Sequence, residues 1–271
     1  MAVTIKSERE IKLMRESCRI LAEVHTQLGG AIKPGISTWD INALGEELIR
    51  SYGCVPNFLN YNGYPASICV SVNNEVVHGI PSKKRILREG DIVSLDAGLI
   101  YKGYHSDAAR TYPVGKISPE AARLIMITQR SFFAGMKYAR AGCYLYDISN
   151  AIAAYCGKYR YGVVRDLVGH GIGTSLHEEP EIPNFRQWRR GIKLRPGMTL
   201  AIEPMVNIGS YKVAWMEDGW TVVTRDGSLS AHYENTVLIT EGEPEILTML
   251  PGQEKFGSLQ PNLRAVGNMG D

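Results

Sequence analysis

Asp96, Asp107, His170, Glu203 and Glu234 stand inside stretches that otherwise read as apolar strands. A charged group in such a stretch is costly unless something compensates it. Two metal ions are the most economical compensation, and four carboxylates with one imidazole suit hard or borderline divalent ions better than a thiolate-rich structural zinc site would. Two ions bridged by carboxylates can activate a shared water, clamp a substrate and stabilise a developing oxyanion. Taken singly, each acid reads equally well as a cap, turn or surface residue. Taken together, the five point to a metal-dependent hydrolase.

The segment Asp91–Asp107 reads as a β-hairpin turning near Lys102-Gly103. A turn centred between Tyr101 and Lys102 puts Asp96 opposite Asp107; a turn centred one residue later makes them diagonal neighbours. Either register leaves both carboxylates on one face, roughly 5–7 Å apart. Glu203 shares a strand face with Thr199 and Ala201, and Glu234 opens an apolar run. His170 lies in Gly169-His-Gly-Ile-Gly173, whose small residues let a ligand come close. His78 and His177 are the candidates for proton transfer or for a hydrogen bond to substrate, because a neutral imidazole donates without adding charge. A plain structural role is the competing reading for both. His25, on a helix, His105, beside the hairpin, and His232, nearer the site, receive no role.

The elements that must position these groups follow from capping and periodicity. Ser7 with Glu10 forms a capping-box signature, followed by Ile11, Met14, Cys18, Leu21 and Val24 at helical spacing up to Gly29-Gly30. A second helix starts near Ser37 and stops at Gly53. Ser118-Pro119 opens a third helix running toward Tyr138, and Asp147 caps a fourth that ends near Tyr159. Strands are expected over 67–72, 92–100, 199–206, 221–224 and 234–240. A shift of 107 residues places Gly35 on Gly142, Asp40 on Asp147, Gly90 on Gly197 and Asp96 on Glu203. Several matches at one offset suggest two related halves, about 1–115 and 116–245, packed around a shared sheet. The chain thus reads as one α/β (α+β) catalytic domain over 1–250 with a loose Gly-, Pro- and Asn-rich tail at 251–271.

Composition excludes several alternatives. At 271 residues, 44% hydrophobic and 21% charged, the chain is globular in composition. A net charge of +2 is too small to imply nucleic acid, and the basic run Arg186, Arg189, Arg190, Lys193 and Arg195 reads first as a solvated loop, with contact to RNA or another polyanion as the rival reading. The start lacks a signal-peptide core, and no run reaches membrane-spanning length. Five scattered cysteines without a CxxC pair support neither a disulfide scaffold nor a zinc knuckle, so a reducing, cytoplasmic setting is expected.

Asp96 and Asp107, Gly-His170-Gly-Ile-Gly followed by His177-Glu-Glu-Pro, Gly-Met-Thr-Leu-Ala-Ile-Glu203-Pro, and Glu234-Asn-Thr-Val together resemble type I methionine aminopeptidase in its short bacterial form, over roughly residues 5–248. The resemblance implies the pita-bread fold: two pseudo-symmetric halves around a curved antiparallel sheet with helices on its outer face. It implies two divalent ions, iron or manganese in the cell, with cobalt or zinc able to substitute. Asp107 and Glu234 would bridge both ions, Asp96 would chelate one, and His170 and Glu203 would complete the other. Glu203 would also shuttle the proton, His177 would bond the scissile carbonyl region, and His78 would contact the amide nitrogen or the second-residue side. An activated hydroxide would attack the first peptide carbonyl while the free α-amine rests on the ion held by Asp96, so only unblocked N-termini would be processed.

The resemblance also implies a methionine pocket lined by Phe58, Tyr61, Tyr64, Cys69, Leu176 and Trp220; aromatic and soft side chains suit a thioether. Bland core packing competes for Cys69 and Leu176. Phe58 and Leu176 depart from the small cysteine and the phenylalanine usual in many bacterial members, a swap that moves a ring from one wall to the other. Leu167 and Phe185 also replace the usual aromatics near His170. Expected partners are nascent polypeptide N-termini, with transient ribosome contact, no direct nucleic-acid specificity, no membrane, and a monomeric state. The chain's own Met1-Ala2 start makes it a plausible substrate of its own activity. The rivals are a proline-directed aminopeptidase or dipeptidase of the same fold and a non-enzymatic relative.

Overall fold

In the computed structural model, which describes residues 3–253, the four expected helices form. Helix α1 (Glu8–Ala31) starts on the Ser7–Glu10 capping box: Ser7 N donates to Glu10 Oε2 at 2.8 Å and Glu10 N to Ser7 Oγ at 3.4 Å. Helix α2 (Thr38–Ser51) repeats the device with Ser37 and Asp40. Helix α3 (Pro119–Met136) has Ser118 as its cap and Pro119 at its first position, where a missing N–H costs nothing. Helix α4 (Leu145–Gly157) differs from expectation in its start. Asp147 is the third helical residue, not the cap, and reaches back to accept from Tyr144 N at 2.9 Å. The expected tail lies, from residue 254 on, outside the described residues, as do Met1 and Ala2.

The strands are β1 (Val55–Pro56), β2 (Ile68–Val72), β3 (Glu75–Val77), β4 (Ile92–Tyr101), β5 (Tyr104–Pro113), β6 (Gly162–Val163), β7 (Gly169–Gly171) and β8 (Glu178–Ile182). After them come β9 (Thr199–Ile202), β10 (Met205–Asn207), β11 (Val213–Trp215), β12 (Val222–Thr224), β13 (Ser230–His232), β14 (Glu234–Leu238) and β15 (Glu245–Ile246). The main sheet runs β1-β4-β5-β14-β9-β7-β8, with β2 also paired to β4 and β15 to β14, and its pairs are antiparallel. Two three-stranded sheets, β13-β10-β6 and β11-β12-β3, flank it.

Two local details set the site. The hairpin closes on Lys102 (φ 48°) and Gly103 (φ 84°) between the pair Tyr101–Tyr104, a two-residue turn whose left-handed backbone matches the twist of its strands. This selects the diagonal register: Asp96 faces Ala109, and Asp107 faces Gly98. The single strand expected over 199–206 is broken at Glu203-Pro204, since proline cannot donate to a ladder; β10 then joins a different sheet. Glu203 therefore leaves the end of β9 instead of lying within a strand.

Alternation separates the two faces of the main sheet. Val93, Leu95, Ala97 and Leu99 of β4 and Ala108 and Tyr112 of β5 pack with Leu21, Val24, Leu28 and Ile41 from α1 and α2. Leu200 and Ile202 of β9 and Val237 of β14 pack with Phe132, Leu145, Ile148 and Ile152 from α3 and α4. Each fully buried aliphatic side chain of this kind stabilises the fold by about 1.5–3 kcal/mol. The residues between them point to the opposite face, which is where the site forms.

Candidate metal centre and active site

Register alone places the five expected metal-site groups on one sheet face. Asp96 and Glu234 are both ladder partners of Ala109, and Asp107 lies two residues before it on β5. His170 and Thr236 are both partners of Ala201, and Thr236 shares a strand face with Glu234. Glu203 follows Ala201 by two residues at the strand end. All five side chains line one cavity of about 270 Å3. Gly169 and Gly171 have a reason other than the expected ligand approach: a Cβ would collide with the Ala201 carbonyl at the first and the Glu179 carbonyl at the second. The flanking strands demand those glycines.

The electrostatics of this face are extreme. Burial pushes the Asp96 carboxyl up to about 7, against which a hydrogen bond with Asp107 pulls. Burial, and then the charges of Asp96 and Glu203, hold Asp107 well above the usual carboxylate range. Glu203 is raised by burial and Asp96, and Glu234 by burial, then Asp107, Glu203 and Asp96. Burial, then His177, pushes His170 down to about 3, so its ring is neutral. His170 Nδ1 meets the Gly171 carbonyl at 2.8 Å, which places its proton there and leaves a lone pair on Nε2. That Nε2 faces Asp107 Oδ2 at 3.9 Å and Glu203 Oε1 at 3.8 Å. A lone pair confronting two carboxylate oxygens calls for a cation between them.

Two further observations fit that requirement. The buried oxygens Asp96 Oδ1 and Asp107 Oδ1 have no hydrogen-bond partner among the described residues. One donor atom each from Asp107, His170 and Glu234 lies within 4.8 Å of the others, the spacing of atoms that share an ion. Behind the sheet, the buried Arg110 donates to the Glu234 carbonyl and, at 2.6 Å, to Asn235 Oδ1, and it stacks on Tyr233 at 4.5 Å. It holds the backbone of Glu234 without entering the cavity.

The other expected residues close around this centre. His177 stacks against His170 with ring centroids 4.2 Å apart, and its Nδ1 meets Tyr61 Oη at 2.7 Å. Burial lowers its pKa, and burial with His177 takes His78 down to about 4. His78 sits at φ 59°, in the left-handed region unfavourable to a branched side chain, and its ring meets Trp220 edge-on at 6.3 Å. Tyr64 is anchored by its hydroxyl on the Gly79 carbonyl at 2.8 Å and meets Trp220 edge-on at 5.2 Å. Cys69 is the ladder partner of Asp96, so the apolar wall begins beside the metal face. Phe58 and Leu176 belong to the same apolar cluster as Tyr64, Cys69 and Trp220. All of them line the same cavity, as do Leu167 and the unanticipated Asn62, Val168 and Met205.

One buried residue stands beside the expected set. His232 is 1% exposed, and its Nε2 lies 3.8 Å from Glu203 Oε2 and 4.0 Å from Glu234 Oε2. Its signal in the sequence is its place two residues before Glu234. The basic run instead lies as expected on the surface: Trp188 is 87% exposed, Arg186 covers its ring at 4.8 Å, and Arg190 covers Tyr144.

A sheet face carrying four buried carboxylates and a neutral imidazole beside an apolar cavity defines a metallopeptidase-type centre, and the chain belongs to metallopeptidase family M24, whose model matches residues 12–241. Within that family it is 53% identical to a methionine aminopeptidase of Clostridium acetobutylicum over 247 residues, 91% of this chain and 99% of the relative. The crystal structure of a methionine aminopeptidase from Thermotoga maritima matches with a TM-score of 0.90 at 43% identity, covering 92% of this chain and 100% of that one. An Xaa-Pro dipeptidase from Bacillus anthracis matches with a TM-score of 0.74 at 26% identity, and this chain covers 62% of it. The pita-bread fold and the type I bacterial resemblance are thereby borne out. Among the described residues no helix is long and apolar enough to cross a membrane.

Proposed function

We propose that this chain is a metal-dependent aminopeptidase that removes the initiator methionine from the free N-termini of nascent proteins and peptides, preferring a small second residue. The observation that carries it is the meeting, in one cavity, of the carboxylate–imidazole face and an aromatic, thiol-lined wall. The similarity over nearly the full length to methionine aminopeptidases supports the same reading over the proline-directed one. The same full-length similarity supports an enzyme over a non-enzymatic relative.

Asp96, Asp107, His170, Glu203 and Glu234 would hold two divalent ions, iron or manganese by donor type, with cobalt or zinc able to substitute. Bound there, the ions supply charge neutralisation, polarisation of the scissile carbonyl and a water of lowered pKa. The chain's own residues do the rest. Glu203, at the strand break, takes the proton of the attacking water and returns it to the leaving amine. Tyr61 donates its hydroxyl proton to His177 Nδ1, which leaves the Nε2 proton of this neutral ring to stabilise the carbonyl oxygen. His78, held over Trp220, faces the amide nitrogen or the second residue. Phe58, Tyr61, Tyr64, Cys69, Leu176 and Trp220 receive the methionine side chain; sulfur–ring contacts add to apolar burial. The carboxylate-rich end suits a free amine.

We also read residues 1–250 as one catalytic domain built of two halves, about 1–115 and 116–245, since α1 and α2 cover β4 and β5 as α3 and α4 cover β9 and β14. A cytoplasmic, monomeric enzyme in transient contact with the ribosome fits its nascent-chain substrates, and five free cysteines fit a reducing compartment. Glu203→Ala tests the chemistry: it should lower kcat by about 100-fold or more while peptide binding persists. Unchanged hydrolysis would rule out the shuttle. Anaerobic titration of the stripped enzyme with iron, manganese, cobalt and zinc, read by activity and metal content, assigns the ions and their number.

A further inference from the structure

His232 is placed where a core histidine would be a poor choice. It is 1% exposed, and among the described residues neither ring nitrogen has a hydrogen-bond partner. A buried polar atom without a partner costs roughly 1–3 kcal/mol, so a methionine or leucine of similar volume would serve packing better. The backbone around it is tightly held: His232 N donates to Thr111 Oγ1 at 2.9 Å and Thr111 Oγ1 to His232 O at 3.0 Å. Ser94 Oγ in turn meets Thr111 Oγ1 at 2.8 Å. The ring faces both carboxylates, with Nε2 3.8 Å from Glu203 Oε2 and 4.0 Å from Glu234 Oε2. Closing the first gap to a hydrogen bond needs a movement of about 1 Å.

We infer that His232 is a positioning residue for the reaction: its ring offers an N–H to Glu203 and sets the carboxylate for proton transfer. The two oxygens of Glu203 are then divided between neighbours, with Oε1 toward His170 and Oε2 toward His232. Glu203 needs such a guide because it leaves the end of β9 at Pro204, where no ladder fixes its direction. Its backbone carbonyl is held by Asn184 Nδ2 at 3.2 Å, and among the described residues the two histidines are the ring nitrogens that face its carboxylate. A residue that weakens packing while orienting a reacting group is the usual form of a stability–function compromise.

The inference rests on Glu203 as the proton shuttle, and the experiment separates the two. His232→Gln and His232→Met have side chains of equal length, but only glutamine carries an N–H donor. Steady-state kinetics on Met-Ala-Ser and urea denaturation of the metal-stripped proteins are compared with the parent and with Glu203→Ala. The methionine variant should lose about 10- to 100-fold in kcat, with KM within about 2-fold, and its stripped form should be no less stable than the parent. The glutamine variant should recover kcat to within about 3-fold of the parent. Equal losses in both variants, parental kcat in the methionine variant, or a methionine variant that does not fold would each overturn the positioning role. An active Glu203→Ala would instead overturn the shuttle reading beneath it.

Discussion

Asp107→Asn should make the metal-stripped protein more stable and the enzyme inactive. Asp96 and Asp107 are diagonal neighbours on the hairpin whose side chains hydrogen-bond, so their carboxylates lie on the order of 4 Å apart. Two charges at that separation repel by about 4 kcal/mol at an effective dielectric of about 20. Allowing for hydrogen bonds lost by Asp107, the gain at pH 8 is on the order of 2 kcal/mol. The sign with pH follows from the raised carboxyls. Asp96 titrates at 3.8 when unperturbed and at about 7 in the folded chain, so the folded state holds extra protons between those values. That contribution is intact below pH 3.8 and is lost as pH rises through 7, a fall on the order of 4 kcal/mol in the stripped parent. At pH 5, below the value of about 7 for the raised Asp96 carboxyl, one of the two charges is lost and the asparagine variant should differ little from the parent. Urea unfolding followed by tryptophan fluorescence, at pH 5 and pH 8 after chelation, reads both effects. Returned manganese should reverse the order, since only the parent gains about 2.7 kcal/mol at 100 times the dissociation constant. An asparagine variant less stable at pH 8, or a difference independent of pH, would refute the reasoning.

Phe58→Cys and Leu176→Phe should each shift the preference for Met- over norleucine- or Leu-starting peptides by about 10-fold; unchanged selectivity in both would remove the two residues from the pocket. Tyr61→Phe deletes the hydroxyl bonded to His177 and should reduce kcat/KM about 5-fold, the worth of one hydrogen bond; parental kinetics would show that His177 does not depend on it. Lys6 pairs with Glu178 at 2.6 Å with both side chains nearly buried, so Lys6→Met should destabilise the fold by about 3 kcal/mol. Because Glu178 follows His177, KM should rise as well, and a thermal melt at the parental temperature would contradict the tether.

The helices were legible because capping and periodicity are local: Ser7–Glu10, Ser37–Asp40 and Ser118-Pro119 mark the starts of α1, α2 and α3 in both sequence and structure. Asp147 misled, since one acid near a helix start serves equally as cap or as third residue. The hairpin was legible to within one register, which depends on the left-handed pair Lys102-Gly103 rather than on any side-chain pattern. The break in 199–206 had a signal in Pro204, outweighed by the apolar run around it. Short strands such as β7 and β8 carry no strand-like composition; Gly-His-Gly and Glu-Glu-Pro-Glu-Ile pair because β9 is there to receive β7. In the site, acids on apolar strands stood out as anomalies. His232 did not, because a histidine's burial and its unpaired nitrogens exist only once the chain is folded.

The most direct measurement is methionine release by the stripped and metal-restored enzyme from Met-Ala-Ser, from its N-acetylated form and from an X-Pro dipeptide, alongside Asp107→Asn. Release from Met-Ala-Ser alone, restored by divalent metal in the parent and absent in the variant, is the expected result. Robust X-Pro cleavage without methionine release, or release that survives both chelation and Asp107→Asn, would contradict the account.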